Sequence, residues 1–528
     1  MKFINFGGLY PAGYRDLNNS NIADVAMDVD LSGNTVRAWR TDKLLSGTTG
    51  AKAIYEIQGC CILSDDNACT RYAEGDPSPN CPEMVFRTKP GSKPQAARTA
   101  DACNNVWRDL SFPDFPPLSV VSPPVSVDSN REHVYAFYTV VDNWGRESAP
   151  SAVSSEFYAN FGTSILVSGF PTAYPNGSKI RIYVSKPTYS SGNENQPVQL
   201  HANFFREAEF AIGPASATVV LDYPDEANTT WDYEPAPNDL WDITSFRGGQ
   251  LLGLSQNMVR ASIGHTFHAW PRRFAIRFYG NARRLIAGRS IAYVLTDEAP
   301  LMMRVPAGCG EMSCFQSAQL HVPLPIASAR SAAMHGDTVI YATYKGLVAV
   351  TGQEHRYFPH WAERDWQQMR PESMIGEVHD GAYFLSTVQG TFRLDLNVSS
   401  EKSLTKITDN GVTAMHESTH GRLLLGTAGG IVAWNQGNAY KTAMWERHKT
   451  FKGPLRSVSV IDVSAHGTYN VGIFADGFAP DWGTVAGSGD LQQRVCPTRA
   501  RDFGVKIHTT SEVARVIIGA SISQINSQ

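Results

Sequence analysis

Between residues 249 and 421 the chain repeats one short pattern five times: a glycine, an apolar run, a polar or glycine-bearing turn, and a second apolar run. The copies read GQLLGLSQNMVRAS from Gly249, GRSIAYVLTDEAPLMMR from Gly288, GDTVIYATYKGLVAV from Gly336, GAYFLSTVQGTFRLDL from Gly381 and GRLLLGTAGGIVAW from Gly421. Their spacings are 39, 48, 45 and 40 residues, a mean of 43 (172 divided by 4). Self-similarity at this period marks propeller blades, each a small four-stranded sheet. The apolar runs are too short for helices and are rich in Val, Ile, Leu and Tyr, which suits strands. The SQN, TDE, YKG, VQG and TAGG segments between them carry the residues hairpin turns prefer. An all-β chain built on a β-propeller is therefore expected, with five visible repeats and a sixth blade assembled from residues 51–107.

The flanks read differently. Residues 1–115 hold few long apolar runs, except AIYEIQGCCILSDD, which resembles the blade pattern with Gly59 as its opening glycine. This segment is expected to contribute to a platform and to a first blade shared between early and late chain, so that no sheet edge gapes. A proline-rich stretch, SFPDFPPLSVVSPPVSV, should be extended. Residues 116–235 then alternate in another style, with HVYAFYTVVDNWGRESAPS, SKIRIYVSKP and ATVVLDYPD as strand–turn units. They suggest an inserted β-sandwich resembling fibronectin type III modules. The propeller is placed at 236–450. Residues 451–528 carry longer β segments with different spacing and read as a C-terminal β platform.

Bulk numbers narrow the function classes. A formal net charge of −4, from 46 basic and 50 acidic residues, argues against a surface built to grip nucleic acid. No run approaches the roughly 18 apolar residues of a membrane helix. The opening, MKFINFGGLYPAGYRD, lacks the apolar core of a signal peptide, so the protein is expected to be made in a cytoplasm and to begin at or near Met1. Eight cysteines, at 60, 61, 69, 81, 103, 309, 314 and 496, do not force a disulfide framework. Free thiols in loops are the first reading, disulfides formed late in an oxidising setting the second. Paired CxxC spacing is absent, and no metal or other cofactor is expected.

One segment imitates a metal site. His416-Glu417-Ser418-Thr419-His420 is a literal H-E-x-x-H, which binds zinc only on a helix, where residues four apart share a face. Here it lies between strand-like GVTAM and GRLLLGT, and a strand would hold the two histidines about 13 Å apart. An inter-strand turn is expected. His265 and His268, in GHTFHAWP, read as loop residues with Trp270 in the core. WDYEPAPNDLWD (231–242) could be a sugar-binding face or the entry to a blade, the latter favoured. The five arginines between Trp270 and Arg284 read as a solvated strand face or a subunit contact. No G-x-S-x-G elbow, phosphate-binding loop or dinucleotide fingerprint is present. The chain is not expected to be an enzyme, although a propeller glycosidase would place its acids on the axis, where sequence cannot find them.

Three collinear segments resemble the tail nozzle proteins of short-tailed, podovirus-like bacteriophages, also called tail tubular protein B. The first is FINFGGLYPAGYRDLNNSNIADVAMDVDLSGNTVRAWR. The second is residues 233–271, where Glu234, Pro235, Pro237, Leu240, Gly249, Gly253, His268, Ala269, Trp270 and Pro271 stand as that family's pattern wants them. The third runs from VIYATYKGLVAVTG to PESMIGEVHDGAYFLS, residues 339–386. Together with Gly288, Gly336, Gly381 and Gly421, the glycines and the His-Ala-Trp-Pro phrase form the structural motif. The segment from Cys60 to Cys103 is richer in cysteine and loop than the family pattern, and a fibronectin-like insertion is typical of only some members. The resemblance implies a structural protein of the virion tail. Six copies would form a distal tube through which double-stranded DNA passes without specific binding. Its partners would be a head-to-tail adaptor below the portal, tail fibres or spikes, and the host outer envelope. The alternative is a propeller-type module that binds a glycan or a protein.

Overall fold

A computed structural model describes the chain except residues 1, 4, 5, 7, 10–21, 34, 58–60, 76–82, 123–131, 160, 175–176, 186–187, 190–203, 223–225, 248, 305–314, 399–402, 410, 451–455, 476–484, 501, 523–524 and 526–528. Strand is the main regular structure of the described residues, with two short α-helices, Thr99–Cys103 and Glu363–Gln368. By its internal contacts the chain divides into two units. One comprises Met1–Thr70, Tyr279–Arg304 and Ser317–Gln528, the other Arg71–Phe278 and Val305–Gln316.

Four of the sequence repeats are the middle pairs of four-stranded antiparallel sheets, and the fourth in order lies in a larger, nine-stranded sheet. The pairs are Gln250–Ser255 with Met258–Ala261, Ile291–Thr296 with Leu301–Arg304, Thr338–Ala342 with Leu347–Thr351, Ala382–Thr387 with Gly390–Asp395, and Leu423–Thr427 with Gly430–Ala433. These strands are apolar on both faces because sheets stack on both sides of them in the first unit. Along Thr338–Ala342, Val339 and Tyr341 pack with Ile286, Tyr293 and Leu295 of the preceding sheet. Ile340 and Ala342 turn the other way, onto Tyr383, Leu385 and Phe392 of the next. Ala382 and Phe384 then meet Leu423, Leu425 and Trp434, and Leu424 packs with Ala51 and Ile54. The period-2 alternation of a strand thus feeds two cores at once. Burying one such side chain contributes roughly 1.5–3 kcal/mol.

The outer strands are less regular. Fourth strands such as Ala275–Arg277 and Glu354–Tyr357 are short, neither has a buried residue, and the latter is exposed throughout. The sheet of the last repeat takes its fourth strand from the opposite end of the chain. Lys43–Ser46 pairs antiparallel with Gly430–Ala433. The strand shared between early and late chain is therefore 43–46, earlier than the segment expected to supply it. Ala53–Ile57 and Cys61–Asp65 form a separate hairpin; Gly59 lies outside the described residues.

The C-terminal segment builds a platform jointly with the N-terminus. Lys2–Phe3, Val29–Asp30 and Val36–Ala38 join Glu512–Gly519, Arg456–His466 and Leu491–Ala500 in one sheet. In a nine-stranded sheet Val25–Met27 lies between Leu404–Ile407 and Ala443–Thr450, followed by Asp502–Thr509, Thr468–Ala475 and Val485–Ser488. The sheet of the fourth repeat therefore continues into the platform. One core, including Ala26, Val29, Val36, Trp445, Ile461, Val505 and Val516, is drawn from both sheets.

In the second unit, Arg71–Glu74, Met84–Thr88, Gln95–Arg98 and Arg108–Asp109 form a four-stranded sheet that stacks on the sheet of the first repeat, which begins at Trp241–Phe246. Phe86, Leu240, Leu251, Phe267 and Trp270 are buried between them. Two three-stranded sheets share another core. Ser119–Val121, Ser164–Ser168 and Ser216–Val220 make one, and Ala136–Val141, Lys179–Ser185 and Phe204–Ala211 the other. Ser148, Ser151 and Ser154 recur every third residue, and their hydroxyls accept from the N–H groups of Val140, Tyr138 and Ala136 at 3.0–3.1 Å. An irregular segment thereby satisfies the free edge of that strand.

The cysteines depart from the free-thiol reading. Cys61 and Cys103 each take part in a disulfide, whereas Cys69 is a free, exposed thiol. Cys60, Cys81, Cys309 and Cys314 lie outside the described residues, as does the side chain of Cys496.

Two substitutions separate packing from backbone strain. A Cβ on Gly288 would strike the Gly336 carbonyl oxygen and lie 2.9 Å from Asp337 Oδ1, so Gly288→Ala should cost about 2–3 kcal/mol through a forced backbone shift. Gly421 has φ +67° and nothing within 4 Å of the added atom, so Gly421→Ala should cost only about 1 kcal/mol. Equal losses in urea unfolding would refute this account of Gly288. Trp270 is fully buried and donates its indole N–H to Phe267 O at 2.8 Å. Trp270→Ala should lower stability by about 3–5 kcal/mol and remove most soluble protein, checked by expression and near-ultraviolet circular dichroism.

Candidate functional site

Five strands of the first unit form a row. Ala282–Ala287, Ala333–His335, Ile375–His379, Ala414–Glu417 and Ala53–Ile57 lie successively beside one another. Ile375–His379 and Ala414–Glu417 bring three ionisable groups together. Glu377 accepts the Val378 N–H at 3.1 Å and also that of Glu417. The Glu417 carboxylate bonds His379 Nδ1 at 2.6 Å. Burial pushes the Glu377 carboxyl up to about 7, and the neighbouring Glu417 charge adds to this, against those two N–H groups and Arg284. Glu56, on the last strand of the row, is buried and paired with Arg422.

A carboxyl whose pKa is lifted toward neutral is one part that general acid–base chemistry requires. Near neutral pH, Glu377 can hold a proton beside Glu417, whose side chain orients the His379 imidazole. Sequence reasoning missed this pair because Glu377 sits in IGEVH, an ordinary strand phrase. The pair exists only through pairing of first strands from successive sheets.

H-E-x-x-H falls where expected. His416 and Glu417 end the strand Ala414–Glu417, and His420 occupies the following turn, its N–H donated to Ser418 Oγ at 3.0 Å. His416 is packed against Tyr55 with ring centroids 4.7 Å apart, and burial lowers its pKa to about 4. Among the described residues no group of three His, Cys, Asp or Glu is placed to hold a metal, and no helix is long and apolar enough to cross a membrane.

The His-Ala-Trp-Pro phrase packs in the second unit. His268 donates its Nε2–H to Glu147 O, 2.6 Å away, and lies edge-on to Phe112 and Tyr233. Burial, with the Arg146 charge, lowers its pKa to about 4. Ala269 and Trp270 are fully buried and Pro271 is buried beside them. His265 adopts φ +56° and sits close against Gly249. Leu240 fills the space over Gly253. Gly336 and Gly381 open their hairpins at φ +63° and +68°. The acidic–aromatic segment and the arginine run, read separately in the sequence, meet here. Arg273 pairs with Asp232 at 2.5 Å, and Arg272 Nε lies 3.8 Å from Glu234.

A cavity of about 700 Å³ lies in the first unit, with Met27, Leu44, Leu425, Val432 and Met444 as its apolar lining. Lys441 Nζ at its wall donates to Thr408 O at 3.2 Å and lies 3.4 Å from Asp42 and 3.7 Å from Asp28.

No family model matches the sequence, and no curated protein matches it. Solved structures that align with it include a streptogramin B lyase, with TM-score 0.27, 7% identity, and 60% of this chain and 97% of that one covered. Another is PorZ, a bacterial surface component of the type-IX secretion system of Porphyromonas gingivalis (TM-score 0.26, 12% identity, 83% and 65% covered). A third is Hsv2 of Kluyveromyces lactis (TM-score 0.26, 8% identity, 55% and 90% covered). At such TM-scores these likenesses carry no argument about fold or function. The all-β, propeller-like architecture rests on the stacked four-stranded sheets themselves.

The buried ionisable groups give opposite pH dependences. Glu377 has a folded pKa above its ordinary value, so its contribution is greatest below about pH 4.5 and is lost as pH rises through about 7. His416 has a depressed pKa, so the folded state loses up to about 3 kcal/mol as pH falls from about 6.5 to 4. Melting temperatures between pH 4.5 and 8 should show Glu377→Gln gaining most, relative to the parent chain, at high pH. His416→Phe, which keeps a ring against Tyr55, should gain most at low pH. Parallel curves would contradict both assignments.

Proposed function

We propose that this chain is a structural protein of a virion tail, a nozzle whose copies form the distal tube through which the genome leaves. The observation that carries the reading is the interweaving of both chain ends into one platform that continues into the fourth repeat's sheet. Among the described residues the first strand, Lys2–Phe3, pairs with the last, Glu512–Gly519, which suits a wall that must hold its shape under load. In this reading the four-stranded sheets at 71–109, 241–277, 282–319, 333–357, 375–407 and 414–433 with 43–46 are six blades. The module at 116–235 is a fibronectin type III-like sandwich facing outward. The platform of 451–528 and the N-terminal strands faces the head-to-tail adaptor.

The charge balance supports the same reading. A net charge of −4 gives a passing polyanion little to adhere to. The polar first strands are internally paired through Glu417–His379 and Glu56–Arg422. A closed ring of identical protomers uses two different faces of each, related by rotation. Fibres or spikes and the host envelope would be met at the exposed sandwich loops.

The test is the assembled state. Purified full-length chain should form a ring of about six copies of its 57.8 kDa protomer by mass photometry and electron microscopy. Mass spectrometry of source particles should then find about six copies for every twelve portal subunits. A chain that stays monomeric at micromolar concentration and is absent from particles would overturn the reading.

A further inference from the structure

Two tryptophans from opposite ends of the chain meet in the first unit. Trp39 follows the strand Val36–Ala38, Trp434 follows Gly430–Ala433, and their ring centroids lie 5.1 Å apart at 53°. Trp434 is 5% exposed. Among the described residues neither indole N–H finds an acceptor, although both nitrogens are buried. An unsatisfied buried donor costs about 1–3 kcal/mol, and a buried tryptophan normally finds a partner for this group. Both rings line a cavity of about 100 Å³ together with His379, Asp380, Arg393, Asn435 and Gln436. Trp39, Asn435 and Gln436 also line a wider recess of about 480 Å³, whose rim adds Arg37, Arg40 and Tyr440.

The chemistry of this lining is selective. Indole and phenol rings offer flat apolar faces, and the indole N–H groups want oxygen acceptors at their edges. Asn435 Oδ1 already accepts the Arg40 N–H at 2.6 Å, which leaves its amide as a donor. Arg393 is committed to Asp395 at 3.0 Å and lies over the Trp39 ring at 5.1 Å. Arg37 is committed to Asp30. Arg40 lies over Tyr440 at 5.6 Å, and no carboxylate among the described residues pairs with it. Asp380 is the one carboxylate among the lining residues. His379 is held in place through its Nδ1 contact with Glu417. Rings beside clustered donors, with one uncommitted guanidinium at the rim, fit a ligand rich in oxygen acceptors, with flat C–H faces and a negative group.

We infer that the Trp39–Trp434 recess is a binding site for an acidic saccharide, its ring against Trp39 and the exposed Tyr440 in the wider recess, its carboxylate at Arg40 and an oxygen directed to the Trp434 N–H in the small cavity. The site stands independently of the tail reading. Ring assembly can fail with the recess intact, and saccharide binding can fail in a chain that assembles.

The experiment uses full-length protein with two probes, trigalacturonate and N-acetylneuraminic acid, followed by titration calorimetry and tryptophan fluorescence. Fully methyl-esterified trigalacturonate and acetate serve as controls. At least one acidic probe should bind with a change in tryptophan emission, and the ester and acetate at least 10-fold more weakly. Trp434→Phe, which keeps a ring but removes the N–H, should weaken binding about 10-fold, equivalent to about 1.4 kcal/mol. Arg40→Gln, at an exposed position, should reduce the preference for acid over ester and the salt dependence. Retention on immobilised polygalacturonate would identify a surface polysaccharide as the source, and binding of the free oligosaccharide alone a soluble one. Binding of neither acidic probe, acetate binding as well as the sugars, or affinities untouched by both variants would each overturn the proposal.

Discussion

The first unit depends on backbone hydrogen bonds between strands from opposite ends of the sequence. Ser46 faces Ile431 across one ladder, and Met27 faces Met444 across another. Were the chain between Ser46 and Ile431 unstructured, closing that loop would cost on the order of 5 kcal/mol. The ladder hydrogen bonds net only about 1 kcal/mol each. What offsets the cost is the core these strands bury, in which Ala26, Val29 and Val36 pack with Trp445, Ile461 and Val505. The backbone fit is close: a Cβ on Gly430 would collide with the Ser46 carbonyl oxygen. Glycine there is the condition for the final sheet to accept its fourth strand.

That dependence explains which parts of the fold were legible in sequence. The middle hairpins announce themselves because strands such as Thr338–Ala342 and Leu347–Thr351 are buried on both faces and so apolar, apart from the threonines at their ends. Edge strands carry no such requirement. Glu354–Tyr357, EHRY, is fully exposed, and its identity as a strand lies in its pairing with Leu347–Thr351. Lys43–Ser46 likewise has two exposed residues and two half-buried ones, and nothing in KLLS names a partner hundreds of residues away. A ladder reads backbone, and backbone is the same for every sequence.

Buried polar groups were illegible for a related reason. Glu377 acquires its raised pKa from burial and from Glu417, which reaches it only once the first strands of neighbouring sheets lie side by side. The sequence reads H-E-x-x-H as an inter-strand turn, whereas His416 and Glu417 end a strand and only the residues after them turn, and Glu417 contacts His379 in a way that no spacing rule contains. Trp270 was easier to place, because an indole in a short phrase between strands has few destinations other than a core. The Asp232–Arg273 pair was halfway: both segments stood out in the sequence, and only folding shows that each answers the other.

The two tryptophans sharpen the distinction between a residue that builds and one that waits. Trp270 and Trp366 are fully buried, and their N–H groups reach Phe267 O and Thr343 O, both at 2.8 Å. Their whole surface is consumed by the fold. Trp434 packs against Phe384, with ring centroids 4.8 Å apart, but its indole N–H finds no acceptor among the described residues. If its role were packing alone, phenylalanine would supply the ring without leaving a donor unsatisfied. The position where the terminal strands close the last sheet is also where both indoles line one recess. A site there exists only after both chain ends have docked, so binding at the Trp39–Trp434 pair would stabilise the closed form over any state with Val36–Ser46 detached.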